Sequence, residues 1–164
     1  MNIGGIIICM IFIVINASTA FIDAKVYNDF IKELTAKSEF TNNTSRAAGM
    51  QNAFNAFLAA HELVVIAFLS TDCRLCQKFE SSGIFLHLEK VFPKVEFVII
   101  RKNEADKEFL KIIQGRFNIV DGYPLFVIAK NGQHEPFKVI KGFDDNFKSI
   151  LSSEIAKASV SAGK

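Results

Sequence analysis

Tryptophan is absent from this 164-residue chain, while phenylalanine occurs 17 times, a bias that reads as core filling without functional content. Clustered basic charge is also missing. With a net charge of +2 and no basic stripe, nothing points to a nucleic-acid backbone as partner. No apolar run reaches the roughly 20 residues that span a bilayer. There is no second cysteine pair, and His61, His87 and His134 stand apart from one another, so the four ligands of a structural zinc site are not in view. No metal and no cofactor is expected. Half of the residues are hydrophobic, enough for a real core.

The run from Ile3 to Ile15 is followed by Asn16-Ala17-Ser18-Thr19-Ala20. Ser18 and Ala20 form a small-x-small processing pattern, which predicts a mature chain beginning near Phe21. No Lys or Arg precedes the run, so the α-amino group supplies the only positive charge there. An uncleaved anchor and a buried N-terminal strand are the competing assignments. Cys9 falls inside this segment, and Ile8 before it is too large for a lipoprotein processing site. Export places the remaining cysteines, Cys73 and Cys76, in an oxidising compartment, either a bacterial periplasm or a eukaryotic secretory lumen or exterior. No stable membrane span is expected after cleavage.

Along the rest of the chain the hydrophobic period alternates between helical and strand-like. Val26, Phe30, Ile31 and Leu34 recur at helical spacing between Ala24 and Lys37. A polar loop follows from Ser38 to Ser45, with overlapping glycosylation acceptor patterns at Asn42 and Asn43. Arg46 to His61 predicts a helix with Met50, Phe54, Phe57 and Leu58 on one face. Leu63 to Leu69 is a continuous apolar run, as in a strand buried on both faces. A helix is predicted from Gln77 to about Val91, bent at Gly83 and ended by Pro93. Val95 to Arg101 reads as a second buried strand. Asn103 is expected to cap a helix from Glu104 to Gly115, with Gly115 as its stop. A strand from Leu125 to Lys130, the turn Asn131-Gly132 and a strand from Phe137 to Lys141 predict a tight antiparallel hairpin. A last helix is expected from Asp144 to Ala158.

This order predicts an α/β fold, with a mixed sheet between helices on both faces, a C-terminal β-hairpin and an N-terminal helical extension. Strands separated by helices imply parallel pairing with right-handed crossovers. Four segments follow: 1–20 a signal peptide, 21–45 an N-terminal helix and polar loop, 46–158 the main domain, and 159–164 a frayed tail.

The chemistry concentrates in Cys73-Arg74-Leu75-Cys76, where the apolar strand runs into a helix start. Unpaired N–H groups and the helix dipole favour negative charge at the first cysteine. A thiolate there is a competent nucleophile, and Cys76, one turn on, can close a disulfide or expel a mixed one. A gap of two residues constrains the unfolded chain little, so the spacing favours a redox pair over a structural staple. An inert buried pair and half of a zinc site are the bland alternatives. Arg74 favours the thiolate and Asp72 opposes it, so both are expected to tune Cys73.

Taken in order, the strand into Cys73-x-x-Cys76, Gly122-Tyr123-Pro124, Lys130-Asn131-Gly132, and Gly142 before the last helix resemble the thioredoxin-like superfamily. The resemblance covers about Arg46 to Ala158. It implies a three-layer α/β/α domain without a large helical insertion. It also implies that Pro124 is cis and faces Cys73, and that a backbone edge at Tyr123 and Pro124 pairs with a bound polypeptide. The implied activity is thiol-disulfide exchange with cysteine-containing protein substrates, supported by a redox partner. A client-binding module with little turnover is the alternative. Two positions depart from the pattern: Asp72 replaces the usual tryptophan, and Ala67 stands where many members carry a buried acid. Arg101 with Lys102, or Glu80, are the candidates to substitute for that acid.

Overall fold

The computed structural model describes residues 43–103, 105–119 and 122–160. The expected signal segment, the helix from Ala24 to Lys37 and the acceptor Asn42 lie outside these residues.

Strand β1 (Leu63–Leu69) is buried at every position and forms the centre of the sheet. It pairs parallel with β2 (Val95–Arg101) and antiparallel with β3 (Leu125–Lys130). β4 (Lys138–Lys141) adds antiparallel to β3, giving the order β2-β1-β3-β4. Successive side chains of a strand point to opposite faces, so β1 serves two cores at once. Val64, Ile66 and Phe68 face helices α1 (Asn43–Ala60) and α4 (Lys107–Phe117). Leu63, Val65, Ala67 and Leu69 face α2 (Arg74–Ser81), α3 (Ile84–Val91) and α5 (Phe147–Val160). An α/β fold with a mixed sheet and helices on both faces is therefore observed as expected.

Several local expectations shift. The helix expected from Arg46 to His61 spans Asn43–Ala60 among the described residues, so this acceptor asparagine is helical. The helix after the cysteines is divided in two, because Gly83 takes the left-handed conformation (φ 64°) that residues with a Cβ avoid. α4 is capped by Asp106, whose carboxylate accepts from Glu108 N and Phe109 N at 2.8 and 3.2 Å. Asn103, also of a capping type, is committed elsewhere. Asp106 is fixed further by Arg46 at 2.6 Å, which ties α4 to α1. Gly115 lies within α4, and Asn118 takes the left-handed C-cap. α5 continues to Val160, two residues into the expected tail.

The Asn131-Gly132 turn forms, with Gln133 N donating to Lys130 O at 3.2 Å and Gly132 at φ 76°, but the strands pair only from Ile128 and Lys138, so the loop is longer than a two-residue hairpin. Asn131 also ties this turn to the junction of α1 and β1: its N–H donates to Glu62 O at 3.1 Å and its Nδ2 to Ala59 O at 3.0 Å. Phe137 N then donates to Ile128 O at 2.8 Å, and β4 follows from Lys138.

Topology builds the site. β2 ends where β1 ends, with Arg101 opposite Leu69. The α4 segment returns the chain to that same end, where Leu125 pairs with Phe68, so β3 runs antiparallel to β1 despite the intervening helix. Three strand termini thereby bring Cys73, Asn103 and Pro124 to one edge of the sheet.

Candidate active site: the Cys73–Cys76 pair

Cys73 occupies the N-cap of α2 with extended backbone (φ −99°, ψ 113°). Its sulfur does what a capping oxygen normally does, accepting from Cys76 N at 3.2 Å. The thiol lies 3.5 Å from the carbonyl oxygen of Tyr123, to which it donates. Cys73 is half-buried and Cys76 fully buried, and both are free thiols. The helix thus presents one sulfur and hides the other one turn below.

Cys76 packs in the core beside Phe79 and Ala67. Its thiol pKa is pushed up to about 12, first by burial, then by its hydrogen bond to Cys73 and by the negative charges of Cys73 and Glu80. Ser70 N donates to its sulfur at 3.5 Å and works in the opposite direction. At neutral pH Cys76 is therefore a neutral thiol.

The Tyr123–Pro124 peptide is cis, as the resemblance implied. Pro124 is buried and Tyr123 half-buried, its ring lying beneath Lys102 Nζ at 5.5 Å. Pro124 O accepts from Gly142 N at 2.9 Å, which fixes the turn to the end of β4. Asp72 and Arg74 are both exposed on either side of Cys73. The Asp72 carboxylate meets Thr71 Oγ1 at 3.5 Å and Asn103 Nδ2 at 3.4 Å.

Of the substitutes considered for the acid missing at Ala67, Glu80 is the one whose charge reaches Cys76. It is held by Arg101, with Nε and a terminal nitrogen each 2.8 Å from Oε1. Lys102 points instead to Tyr123. His87 is exposed on α3, as a surface residue. Among the described residues no group of His, Cys, Asp and Glu could hold a metal ion, and no helix is long and apolar enough to cross a membrane. Sequence analysis missed Ser70, Gln77 and Asn103 as neighbours of the pair. Gln77 Nε2 donates to Thr71 O at 2.8 Å. The signal that would have found Asn103 is its place two residues beyond a strand predicted to run parallel to the one feeding Cys73.

No protein-family model matches the sequence, and no curated protein does. Solved structures match by fold. One comes from work on the thiol resolving mechanism in yeast mitochondrial 1-Cys peroxiredoxin via glutathione/thioredoxin systems. It is 23% identical with a TM-score of 0.51, covering 65% of this chain and 88% of that one. Oxidised mitochondrial thioredoxin 3 from Saccharomyces cerevisiae is 24% identical, with a TM-score of 0.51 and coverage of 65% and 88%. A Plasmodium falciparum thioredoxin is 21% identical, with a TM-score of 0.50 and coverage of 65% and 92%. Identities this low speak for architecture alone, and on that architecture, the mixed sheet with its cysteine helix and cis-proline edge, the chain has a thioredoxin-like fold.

Proposed function

We propose that the chain is an exported thiol-disulfide oxidoreductase that exchanges disulfides with protein substrates through Cys73 and Cys76. The observation that carries this is the half-buried Cys73 sulfur, set at a helix start, accepting an N–H and lying against the cis-proline edge, with Cys76 buried one turn below. The Cys73 thiolate attacks one sulfur of a client disulfide. A Cys73–client bond forms, the client S–S bond breaks, and the second client sulfur leaves as a thiolate. Cys76 then loses its proton to solvent or to a departing thiolate and attacks Cys73. The Cys73–Cys76 disulfide forms and the client leaves reduced. The reverse sequence oxidises a client, and a separate redox partner resets the pair. Tyr123 and Pro124 keep the client backbone beside the sulfur. The segment before Phe21 directs export and is removed.

Single-cysteine variants recovered from cells and run on non-reducing gels test the roles. Cys76→Ser is expected to leave clients trapped on Cys73, and Cys73→Ser to trap few. Pro124→Ala in the trapping background is expected to weaken capture. Equal trapping by both cysteine variants overturns the assignment. The second reading, a client-binding module with little turnover, is favoured by Ala67, an apolar residue buried beside Cys76 where a proton acceptor would serve turnover. Absence of trapping by either variant, with client binding retained, selects it.

A further inference from the structure

Asn103 does no work for the helix that follows it, since Asp106 caps α4. Its side chain crosses to the loop that delivers Cys73. Asn103 Oδ1 accepts from Thr71 N at 3.1 Å and from Ser70 Oγ at 3.2 Å. Asn103 Nδ2 donates to Asp72 Oδ2 at 3.4 Å, while Asp72 Oδ1 accepts from Thr71 Oγ1 at 3.5 Å. Its backbone is set by the neighbouring bond from Lys102 N to Leu69 O at 2.9 Å, which extends the β1–β2 ladder by one step. Thr71 is then held on both sides, its N–H by Asn103 and its carbonyl by Gln77. One amide thus touches all three residues between the end of β1 and Cys73.

Stability is a poor explanation for this arrangement. These bonds are exposed, and exposed polar contacts contribute little to folding because water replaces them well. Geometry at the sulfur is the better one. Asp72 precedes Cys73, and a carboxylate beside a thiol opposes the thiolate that attacks. Here both carboxylate oxygens are engaged by groups from Thr71 and the end of β2.

We propose that Asn103 is a positioning residue for Cys73: its side-chain amide pins the Ser70–Asp72 loop to the end of β2 and holds the Asp72 carboxylate aside from the sulfur. This rests on the exchange reading, in which Cys73 is the attacking group. It adds a residue 30 positions away in sequence that acts through Asp72 and Thr71 without touching the client.

The test uses the full chain carrying Cys9→Ser and Cys76→Ser, so that Cys73 is the sole thiol. Its alkylation by iodoacetamide is followed from about pH 5 to 9, with melting recorded alongside. Asn103→Ala is expected to slow alkylation at neutral pH about threefold and to move the rate profile to higher pH, with little change in melting. Adding Asp72→Asn is expected to return the profile to that of Asp72→Asn alone. Asn103→Asp keeps an acceptor for Thr71 N but sets a second carboxylate against Asp72, so its profile is expected to move at least as far. Profiles of Asn103→Ala and Asn103→Asp that coincide with the parent overturn the proposal. So does a loss that Asp72→Asn fails to repair, because Asn103 would then be an ordinary structural contact. Mixed-disulfide formation with insulin, measured on the same parent, separates the two levels. If alkylation depends on Asn103 as expected but no mixed disulfide forms, the exchange reading falls and the positioning of Cys73 stands.

Discussion

The two faces of the sheet bury fifteen residues each among the described residues, so they differ in composition and not in size. The face toward α1 and α4 is hydrocarbon apart from Met50, with Phe54 meeting Phe109 and Phe117 edge-on at 5.8 and 6.0 Å. The face toward α2, α3 and α5 is built around Phe79, which makes edge contacts with Phe85, Phe126, Phe143 and Phe147. This second face also holds Cys76. On the proposed exchange reading Cys76 needs a fixed position relative to Cys73, and a ring three residues away on the same helix, locked by four others, supplies one. Tyr123 packs against both cores and joins the cis-proline edge to each. One face contributes stability; the other contributes stability and aim.

Truncating one ring on each face breaks the comparison most sharply. Phe54→Ala and Phe79→Ala are both expected to cost about 3–5 kcal/mol in urea unfolding, as large core deletions do. Exchange rates in the folded fraction should then diverge. Phe54→Ala should leave the rate of intramolecular disulfide closure near the parent value. Phe79→Ala should slow it, because α2 loses the contacts that fix Cys76. Equal closure rates in the two variants would remove the distinction between the faces.

The next effect is smaller and confined to alkaline pH. Burial pushes the Cys76 thiol of the folded, reduced protein up to about 12, against 9.0 for an unperturbed thiol. Below pH 9.0 both states are protonated and Cys76 contributes no pH dependence. Above it the unfolded chain binds fewer protons than the folded one, so stability falls with rising pH, by about 1.4 kcal/mol per unit while the mismatch lasts. The decline should level off near pH 12. Other groups titrate in this window, so the measurement is a difference: reduced parent against Cys76→Ala, unfolded in urea at several pH values. The variant should lack this part of the slope, and the parallel Phe54 face should be indifferent to it.

What could be read from the sequence was whatever local signals carry. Apolar runs placed β1, β2 and β3, the Asn131-Gly132 turn placed β4, and strand-then-helix spacing placed the cysteines. Gly-Tyr-Pro, through its family resemblance, placed the cis bond. The illegible parts depended on which element lies beside which. Asn103 and Asp106 are equally good capping types three residues apart, and only the loop at Thr71 and the guanidinium of Arg46 decide between them. Asn131-Gly132 makes its turn, but Asn131 is also bonded to Ala59, 72 residues earlier in the chain, and the strands resume pairing only at Ile128 and Lys138. Gly115 has open space around it and can stay helical, which leaves the stop to Asn118. At Asn103 a tertiary partner outweighed a capping propensity of less than a few kcal/mol.

The smallest expected effect tests whether aim on the cysteine face includes charge as well as packing. Glu80 lies one turn after Cys76, and its negative charge is the weakest of the influences that keep Cys76 protonated. Arg101 partly offsets it through the pair at 2.8 Å. The pair borders a cavity of about 370 Å³ and remains partly exposed, so solvent screens it. Glu80→Gln removes the carboxylate and leaves the guanidinium, so both changes favour the Cys76 thiolate. With a chromophoric thiol loaded on Cys73 as a mixed disulfide, its release by Cys76 at neutral pH should be about twofold to threefold faster than in the parent. The gain should shrink as salt rises, which a packing effect would not do. Loss of the ion pair itself should cost no more than about 1 kcal/mol of stability. Slower release in Glu80→Gln would mean that the carboxylate accepts the Cys76 proton, giving Glu80 the role of the acid missing at Ala67. Faster release would mean that the Glu80 charge adds to burial in restraining Cys76, which already lies against Cys73, until Cys73 carries a mixed disulfide.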